Sequence, residues 1–334
     1  MDRLRRSFVM VGPRDRRPNL VPSGPPVMLQ YALRRIVHTI PVLAGVLVVT
    51  FVLLYIAPGD PVLAMVGDRF DPATLDRLRA ELHLDEPVWK QFYHYVSGLI
   101  RGDWGTSYIT RQPVLDGILE HFPKTLYLAS VAILFATLSG VAIGVLSAVR
   151  QSTWIDGLGM TFAFLGISFP VYWIGLILIL IVAVEWGALP PSGFGGGALP
   201  HLILPALTLG MRSTAYIARL TRSSMLEVIR LDYIRTARAK GLAEWTVIGK
   251  HALKAALIPV VTAIGLDFGA YLSGSVLTES IFAWPGIGRF ALNAILKRDL
   301  PVIQGTVLFL AIVFVLVNLV VDLLYGMLDP RVRY

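Results

Sequence analysis

Two ionisable side chains lie inside long apolar runs of this sequence. Arg212 falls within the run 198–218, and Asp267 lies near the middle of the run 255–278. Charged groups at membrane depth carry a high free-energy cost, so they usually pair with each other or line a cavity. Three interpretations stay open: Arg212 extends its long stem to the lipid surface, the two groups form an ion pair, or Asp267 lines a translocation path and meets a cationic solute.

A second group of residues concentrates positive charge between two apolar runs. The segment 219–254 holds eight Lys/Arg against three Asp/Glu. Tyr233 to Lys240 has helical spacing, Gly241 permits a break, and helical spacing resumes until Pro259. This pattern predicts a short helix, a turn, and a second helix that continues into the next apolar run. Composition alone favours a loop resting on anionic lipid headgroups over a docking element for a soluble partner.

Several kinds of enzyme chemistry lack the residues to carry them. The chain has no cysteine, which excludes disulfides, thiolate metal sites and a cysteine nucleophile. The six histidines are scattered without H-E-x-x-H, and G-x-S-x-G is absent. The glycine-rich stretch 192–197 lacks the Lys-Ser/Thr of a phosphate loop, and G-x-x-x-x-G-K-[ST] occurs nowhere in the chain, so no ATP site is expected in it. We therefore expect no catalytic residue, no metal site and no cofactor, and we predict that the protein is not an enzyme.

Membrane-spanning helices are the elements that must position these groups. Of the 334 residues, 55% are hydrophobic and only 16% are charged, whereas soluble domains carry about a quarter charged residues. A span needs about 20 apolar residues to cross a hydrocarbon core of roughly 30 Å. An all-α integral membrane protein with six transmembrane helices is predicted, with spans at about 36–57, 125–149, 158–184, 198–218, 255–278 and 301–321.

The remaining segments complete the predicted organisation. Residues 1–27 are rich in Arg and Pro and predict a basic, disordered tail, ahead of a membrane domain at 28–334. The hydrophilic stretch 58–123 predicts an extracytoplasmic region, formed either by amphipathic helices at the lipid surface or by a small subdomain packed on the spans. A helix is expected within 71–82.

Small residues and prolines inside the spans predict how the helices meet and bend. The pairs Gly140/Gly144 and Gly265/Gly269 have the spacing that lets helices approach closely, so we interpret them as packing sites. Pro170 and Pro205 are expected to kink their helices, with packing geometry favoured over gating as their role.

The distribution of Lys and Arg predicts the orientation in the membrane. The region 58–123 holds six Lys/Arg against ten Asp/Glu, whereas the tail, the segment 219–254 and the C-terminus are basic. Basic segments stay in the cytoplasm, so both termini and the segment 219–254 are expected there. The positive-inside effect also accounts for the net charge of +8, and nucleic-acid binding is not expected.

Short motifs along residues 28–334 resemble the permeases of bacterial ABC importers, in the dipeptide, oligopeptide and nickel branch. Within the cationic segment, "RTARAKGL…HALKAALIPVV" is similar to that family's cytoplasmic loop, with Gly241 at the glycine, Ala237 at the second alanine, and Ile258–Pro259 at the closing pair. Arg235 and Thr236 depart from the general pattern in the way typical of this branch. The other matching motifs, in chain order, are "PGDP", "GDWGTS", "FPKTLYLA", "ISFPVYWIGL", "LTESIFAWPGIGRF", "RDLPVIQG" and "LDPRVRY".

The resemblance implies the fold, the partners and the site residues. It implies a type I importer permease in the bacterial cytoplasmic (plasma) membrane, first of two permease subunits, paired with a homologous second permease. Two ABC ATPase subunits and an extracytoplasmic substrate-binding protein complete the expected complex. The implied ATPase-coupling residues are Tyr233, Arg235, Thr236, Ala237, Arg238, Lys240, Gly241, Leu242 and Pro259. Arg212 and Asp267 are the candidates for the translocation path.

The expected function is ATP-driven import of dipeptides or oligopeptides. The alternatives within the same branch are a nickel chelate, glutathione or a haem-like solute. A second alternative is an ATP-independent secondary transporter, against which the sequence shows no internal repeat.

Overall fold

The computed structural model describes residues 25–56, 79–80, 84–273 and 275–328. Within these ranges the chain is almost entirely helical, apart from loops and one isolated β-bridge between Thr106 and Pro113. A helix satisfies its backbone hydrogen bonds within one segment, which the apolar interior of a membrane requires. The predicted all-α class is confirmed.

The helices whose bounds the structure describes are numbered in chain order. The first five are α1 Pro25–Ile56, α2 Val88–Ile100, α3 Val114–Val149, α4 Trp154–Ser168 and α5 Val171–Glu185. The others are α6 Leu199–Ile229, α7 Asp232–Ala239, α8 Glu244–Leu272, α9 Val276–Ile281, α10 Ile287–Lys297 and α11 Leu300–Leu328. Helix α8 includes a π-helical stretch, Val247–Ala252.

Four helices of the described chain, α1, α3, α8 and α11, are long and apolar enough to cross a membrane. Helices α4 and α5 make a fifth span if the bent pair is counted as one. Helix α6, the predicted fourth span, does not reach the same hydropathy because polar residues such as His201 and Arg212 interrupt its apolar run. The protein is therefore a multi-pass membrane protein, and the sixth span stays a prediction.

Two predicted boundaries differ from the observed helices. Helix α1 begins at Pro25, so it includes the last residues of the predicted tail; residues 1–24 lie outside the described ranges, as does most of the helix expected within 71–82. Helix α3 begins at Val114 and runs through Pro123, so the end of the predicted extracytoplasmic region belongs to the spanning helix.

The predicted span 158–184 is broken at Pro170. Helices α4 and α5 meet at an angle of 106°, and Phe169 between them has an extended backbone, with φ −84° and ψ 138°. Proline lacks a backbone N–H and pushes the preceding residue out of the helical region, which explains why the helix ends there. The predicted kink at Pro170 is confirmed as a full break, whereas α6 continues through Pro205.

Glycines allow α3 and α6 to form the longest helix contact of the fold. A Cβ at Gly140 would lie 2.8 Å from the carbonyl oxygen of Thr214, and one at Gly144 would lie 2.6 Å from that of Ala218. On the other side of the molecule, Gly269 of α8 faces α11 in the same way, with Val317 at 3.2 Å. Both predicted small-residue pairs are therefore packing sites.

Candidate functional site

Helix α7 ends in a left-handed turn at Gly241. The N–H of Gly241 donates to the carbonyl of Arg238 (2.9 Å), and the N–H of Leu242 donates to that of Ala237 (3.4 Å). These two bonds form a Schellman motif, which needs a positive φ at its central residue, and φ is 75° at Gly241. A Cβ at this position would meet no atom within 4 Å. The glycine is therefore required for its backbone angle and not for space.

One face of α7 is buried against three other helices. Ile234 and Ala237 pack into an apolar cluster with the end of α3, the end of α6 and the start of α8. The other fully buried members of this cluster are Ala148, Met225, Val247, Ile248, Ala252 and Ala256. Apolar burial stabilises such contacts by about 25 cal/mol per Å². Helix α7 is thus fixed to the ends of the helices around it.

The opposite face of α7 is exposed and mixes cations with apolar side chains. Tyr233, Arg235, Thr236 and Lys240 are all exposed. Beyond the turn, Leu242 is 40% exposed and Trp245 is 80% exposed. An exposed aromatic side chain beside arginines has the composition of a protein interface. We call the exposed residues between Tyr233 and Trp245 the α7 surface.

An ion pair closes the turn between α7 and α8. Arg238 donates two hydrogen bonds to Glu244, from Nη2 to Oε1 (2.7 Å) and from Nε to Oε2 (3.2 Å). This pairing raises the pKa of Arg238 above its ordinary value. Arg238 therefore holds the two helices together across Gly241.

Pro259 lies apart from the other predicted coupling residues. It is an exposed position inside α8, which continues to Leu272. The prediction that the second helix continues into the next apolar run is therefore confirmed, and the structure does not group Pro259 with the α7 surface.

The two ionisable groups predicted inside the spans line one cavity of about 620 Å³. Arg212 belongs to α6, and Asp267 belongs to α8. The residues that α6 contributes to the wall are Leu209, Arg212, Ser213, Tyr216 and Arg219, and those from α8 include Ala263, Leu266, Asp267, Ala270 and Tyr271. Each set repeats at three and four residues, so each helix presents one continuous stripe to the cavity. We call this space the α6–α8 cavity.

The break between α4 and α5 and the side chain of Tyr271 shape the remaining walls. Ile167 and Val171, on either side of the break, line the cavity. The hydroxyl of Tyr271 donates to Ser213 Oγ (2.5 Å) and to the carbonyl of Leu209 (2.9 Å). This contact ties α8 to α6 at one end of the cavity.

Arg212 and Asp267 do not form the ion pair that the sequence left open. Across the described residues, neither side chain has an ion pair within 4.0 Å or a side-chain hydrogen bond. Sequence reasoning missed Arg219 on the same stripe, because the predicted span ended at residue 218. Continuing the helical period from Arg212 by seven residues would have found it.

A buried carboxylate outside the predicted spans joins α3, α9 and α10. Glu279 is fully buried; its Oε1 accepts from Thr125 Oγ1 (2.7 Å), and its Oε2 accepts from the N–H of Arg289 (2.9 Å). Burial raises the pKa of this carboxyl, and the hydrogen bonds from Thr125 and the α10 backbone act in the opposite direction. Thr125 Oγ1 also accepts from the N–H of Ile287 (2.8 Å). The carboxylate thus caps the N-terminus of α10, where backbone N–H groups favour negative charge.

The motifs "GDWGTS" and "RDLPVIQG" meet at another buried carboxylate. Asp299, the second residue of "RDLPVIQG", accepts from Ser107 Oγ (2.5 Å) and from the N–H of Tyr108 (3.1 Å). Burial, with the charge of Asp299, raises the pKa of Tyr108 to about 12. The loop "GDWGTS" is thereby attached to the start of α11.

A further ion pair ties α4 to α6. Arg222 Nε lies 2.6 Å from Asp156 Oδ1, and Nη2 lies 2.7 Å from Oδ2.

Among the described residues, no group of three or more His, Cys, Asp or Glu side chains is arranged to hold a metal ion. Long apolar helices around a cavity with unpaired charges define a polytopic membrane protein with a polar cavity between its helices.

Comparison with known families assigns this protein more closely. Residues 140–334 match the binding-protein-dependent transport system inner membrane component family, and residues 28–129 match the N-terminal region of the same kind of membrane component. The chain belongs to this family, whose members are membrane permease components of ABC importers.

Two relatives that match this chain over almost their whole length are also named as permease proteins of transport systems. The chain is 44% identical to the dipeptide transport system permease protein DppB of Escherichia coli K12, over 92% of this chain and 99% of the relative. It is 43% identical to the glutathione transport system permease protein GsiC of the same strain, over 92% of this chain and all of the relative.

Solved structures confirm the fold. An inward-facing methionine ABC transporter, MetNI, matches with a TM-score of 0.55 at 19% identity, over 64% of this chain and 96% of that one. At this identity the likeness concerns the fold alone. It is the fold of a type I ABC importer permease.

Proposed function

We propose that this chain is one of two permease subunits of an ATP-driven importer for short peptides. A homologous second permease completes the membrane part, two ATPase subunits bind on the cytoplasmic side, and an extracytoplasmic binding protein delivers the peptide. ATP hydrolysis belongs to the partner subunits. The two relatives named for dipeptide and glutathione transport support a peptide cargo, and glutathione, itself a short peptide, is the second candidate.

The observation that carries the proposal is the attachment of α7. This helix has one face buried against the ends of α3, α6 and α8, and it exposes the α7 surface on the other side. A soluble ATPase subunit that binds this surface would move all three helix ends together. In this proposal both termini and α7 face the cytoplasm, as the Lys/Arg distribution favours.

The α6–α8 cavity is the proposed translocation path. It lies between α6 and α8, two of the three helices whose ends contact α7, so a movement of α7 reaches both of its walls. The proposed path residues are Arg212 and Asp267. Gly241 forms the turn beside the proposed coupling surface, whose members are Tyr233, Arg235, Thr236, Lys240 and Leu242.

Gly241→Asp tests the coupling role. A side chain in the left-handed region costs about 1–2 kcal/mol. The turn should therefore open, which changes the course of the backbone between α7 and α8. We expect peptide uptake by cells carrying the full transporter to be abolished, while the protein is still inserted at its normal level.

Gly249→Asp is the matched control, because it adds the same charge at an exposed position of α8 whose φ is not positive. Its uptake should stay within about twofold of the unsubstituted protein. Normal uptake by Gly241→Asp would remove the coupling assignment.

A further inference from the structure

We propose that the α6–α8 cavity recognises both charged ends of an unblocked peptide, with Arg212 and Arg219 binding the carboxylate and Asp267 binding the ammonium group. This inference rests on the proposed peptide cargo, and it adds the chemistry by which the membrane subunit itself selects that cargo.

The first observation is that three charges share the cavity without neutralising one another. Arg212, Arg219 and Asp267 all line it, and in the described part of the chain none has an ion pair within 4.0 Å or a side-chain hydrogen bond. A charge at membrane depth is expensive unless water or a ligand solvates it. By contrast, Arg222, on the same helix but outside the cavity, forms a bidentate pair with Asp156. The cavity charges are therefore available to a solute.

The second observation is the alignment of the two guanidinium groups. Arg212 and Arg219 are seven residues apart on one stripe of α6, which is roughly 10 Å along the helix axis. Tyr216 lies between them on the same stripe. Arginine binds a carboxylate through two parallel N–H donors, so each position offers a directed site for the same anionic group. In the proposed orientation, Arg219 lies nearer the cytoplasm, and a carboxylate can pass from one guanidinium to the next.

The third observation concerns the opposite wall. Asp267 lies on α8 one turn from three other cavity-lining residues, Ala263 before it and Ala270 and Tyr271 after it. The small side chains of the two alanines leave the carboxylate accessible to an ammonium group. Asp267 therefore supplies the only acidic side chain of the described cavity lining.

The size and the rest of the lining match a short peptide read by its ends. Two extended residues span at most about 7 Å, and a cavity of about 620 Å³ is in the range that holds small ligands. Beyond the three charged groups, the described lining carries apolar side chains such as Leu209 and Val171 and hydroxyl groups such as those of Tyr216 and Ser275. The site thus predicts selection for the charged free termini with tolerance of different uncharged side chains.

The test uses the complete transporter, reconstituted in proteoliposomes with its companion permease, ATPase subunits and loaded binding protein. Two rates are measured: uptake of a labelled dipeptide, and ATP hydrolysis stimulated by the loaded binding protein. For Arg212→Gln, Arg219→Gln and Asp267→Asn, we expect uptake to fall at least tenfold while stimulated ATP hydrolysis stays within about twofold. Arg212→Lys, which keeps the positive charge, should recover a large part of the uptake lost in Arg212→Gln.

Arg101→Gln is the control, because Arg101 is an exposed cation at the end of α2 that does not line the cavity. Its uptake should equal that of the unsubstituted transporter. Unchanged uptake in all three neutral variants would overturn the inference and leave the proposed function intact. Loss of both rates without rescue by lysine would also overturn it, since that pattern indicates a structural role. If the unsubstituted transporter moves no dipeptide, the peptide cargo itself is wrong.

Discussion

At the scale of single residues, the carboxylate of Glu279 shows why two glycines of "WPGIG" have no substitute. A Cβ at Gly286 would lie 2.5 Å from Glu279 Oε2, and one at Gly288 would lie 3.0 Å from the same atom. The backbone must approach the carboxylate this closely for the N–H groups of α10 to reach it. The glycines are therefore required for space at the capped end of α10.

Gly286→Ala should destabilise the protein by about 1–3 kcal/mol, the usual effect of overpacking a filled site. Glu279 is buried on every side, so it cannot move away without losing its bonds to Thr125 and Arg289. The loss is measurable as a lower midpoint of thermal unfolding in detergent. Gly157→Ala in α4, where a Cβ would meet no atom within 4 Å, should leave the midpoint unchanged or slightly raised, because alanine is the better helix former, and equal midpoints for the two variants would contradict the packing argument.

Single residues also separate what the sequence could predict from what it could not. Arg212 and Asp267 were predictable because a charge in an apolar run stands out. Their shared position in one cavity, without an ion pair, depends on how α6 and α8 pack. Local sequence patterns do not predict this packing. The role of Glu279 was hidden because its partner Thr125 lies 154 positions earlier, and the exposed state of Trp245 depends on the turn that precedes it.

At the scale of helices, one hydroxyl group links α3 to α10 by hydrogen bonds, beside the apolar and aromatic packing between the two helices. Thr125 Oγ1 donates to Glu279 and accepts from the N–H of Ile287. Thr125→Val keeps the shape of the side chain but leaves a buried carboxylate and a buried N–H each without one partner, and such losses cost about 1–3 kcal/mol each. We expect a lower thermal midpoint, with uptake lowered in proportion to the amount of folded protein.

Thr161→Val in α4 serves as the control for that substitution. Thr161 is exposed and has no side-chain hydrogen bond to another described residue, so its replacement should shift the midpoint little. If both valine variants unfold at the same temperature as the unsubstituted protein, the hydroxyl of Thr125 does not hold α3 to α10.

The helices themselves were largely predictable, and their ends were not. Length and apolarity located α1, α3, α8 and α11, because a membrane span leaves a signal of about 20 residues. The break at Pro170 was expected as a kink, but its angle of 106° depends on the neighbouring helices. The early start of α3 at Val114 was missed because the predicted span was limited to the uncharged run after Lys124, whereas the helix also includes the charged residues Asp116, Glu120 and Lys124 and the internal Pro123.

At the scale of the whole molecule, two helices connect the α7 surface with the cavity. Helix α6 carries Met225 in the cluster that holds α7, and it carries Arg212 in the cavity wall. Helix α8 carries Ile248 in the same cluster and Asp267 in the opposite wall. A displacement of α7 would therefore be passed on to both walls. In the proposed function, this geometry lets one small helix act on the whole proposed path.

The proposed coupling of an ATPase to the cavity through α7 requires α7 and α2 to lie on opposite sides of the membrane. Labelling of single introduced cysteines can test this arrangement. The chain contains no cysteine, so one introduced thiol is the only target for a membrane-impermeant maleimide. Trp245→Cys and Ile100→Cys are matched sites, with exposed fractions of 80% and 81%. In intact cells we expect Ile100→Cys to be labelled and Trp245→Cys to be protected. In inside-out vesicles that contain the permease subunits without their ATPase subunits, the pattern should reverse, because the α7 surface is then uncovered and faces the reagent. Labelling of Trp245→Cys in intact cells would place α7 outside, where no ATPase can reach it. That result would exclude ATP-driven movement of the cavity walls through α7.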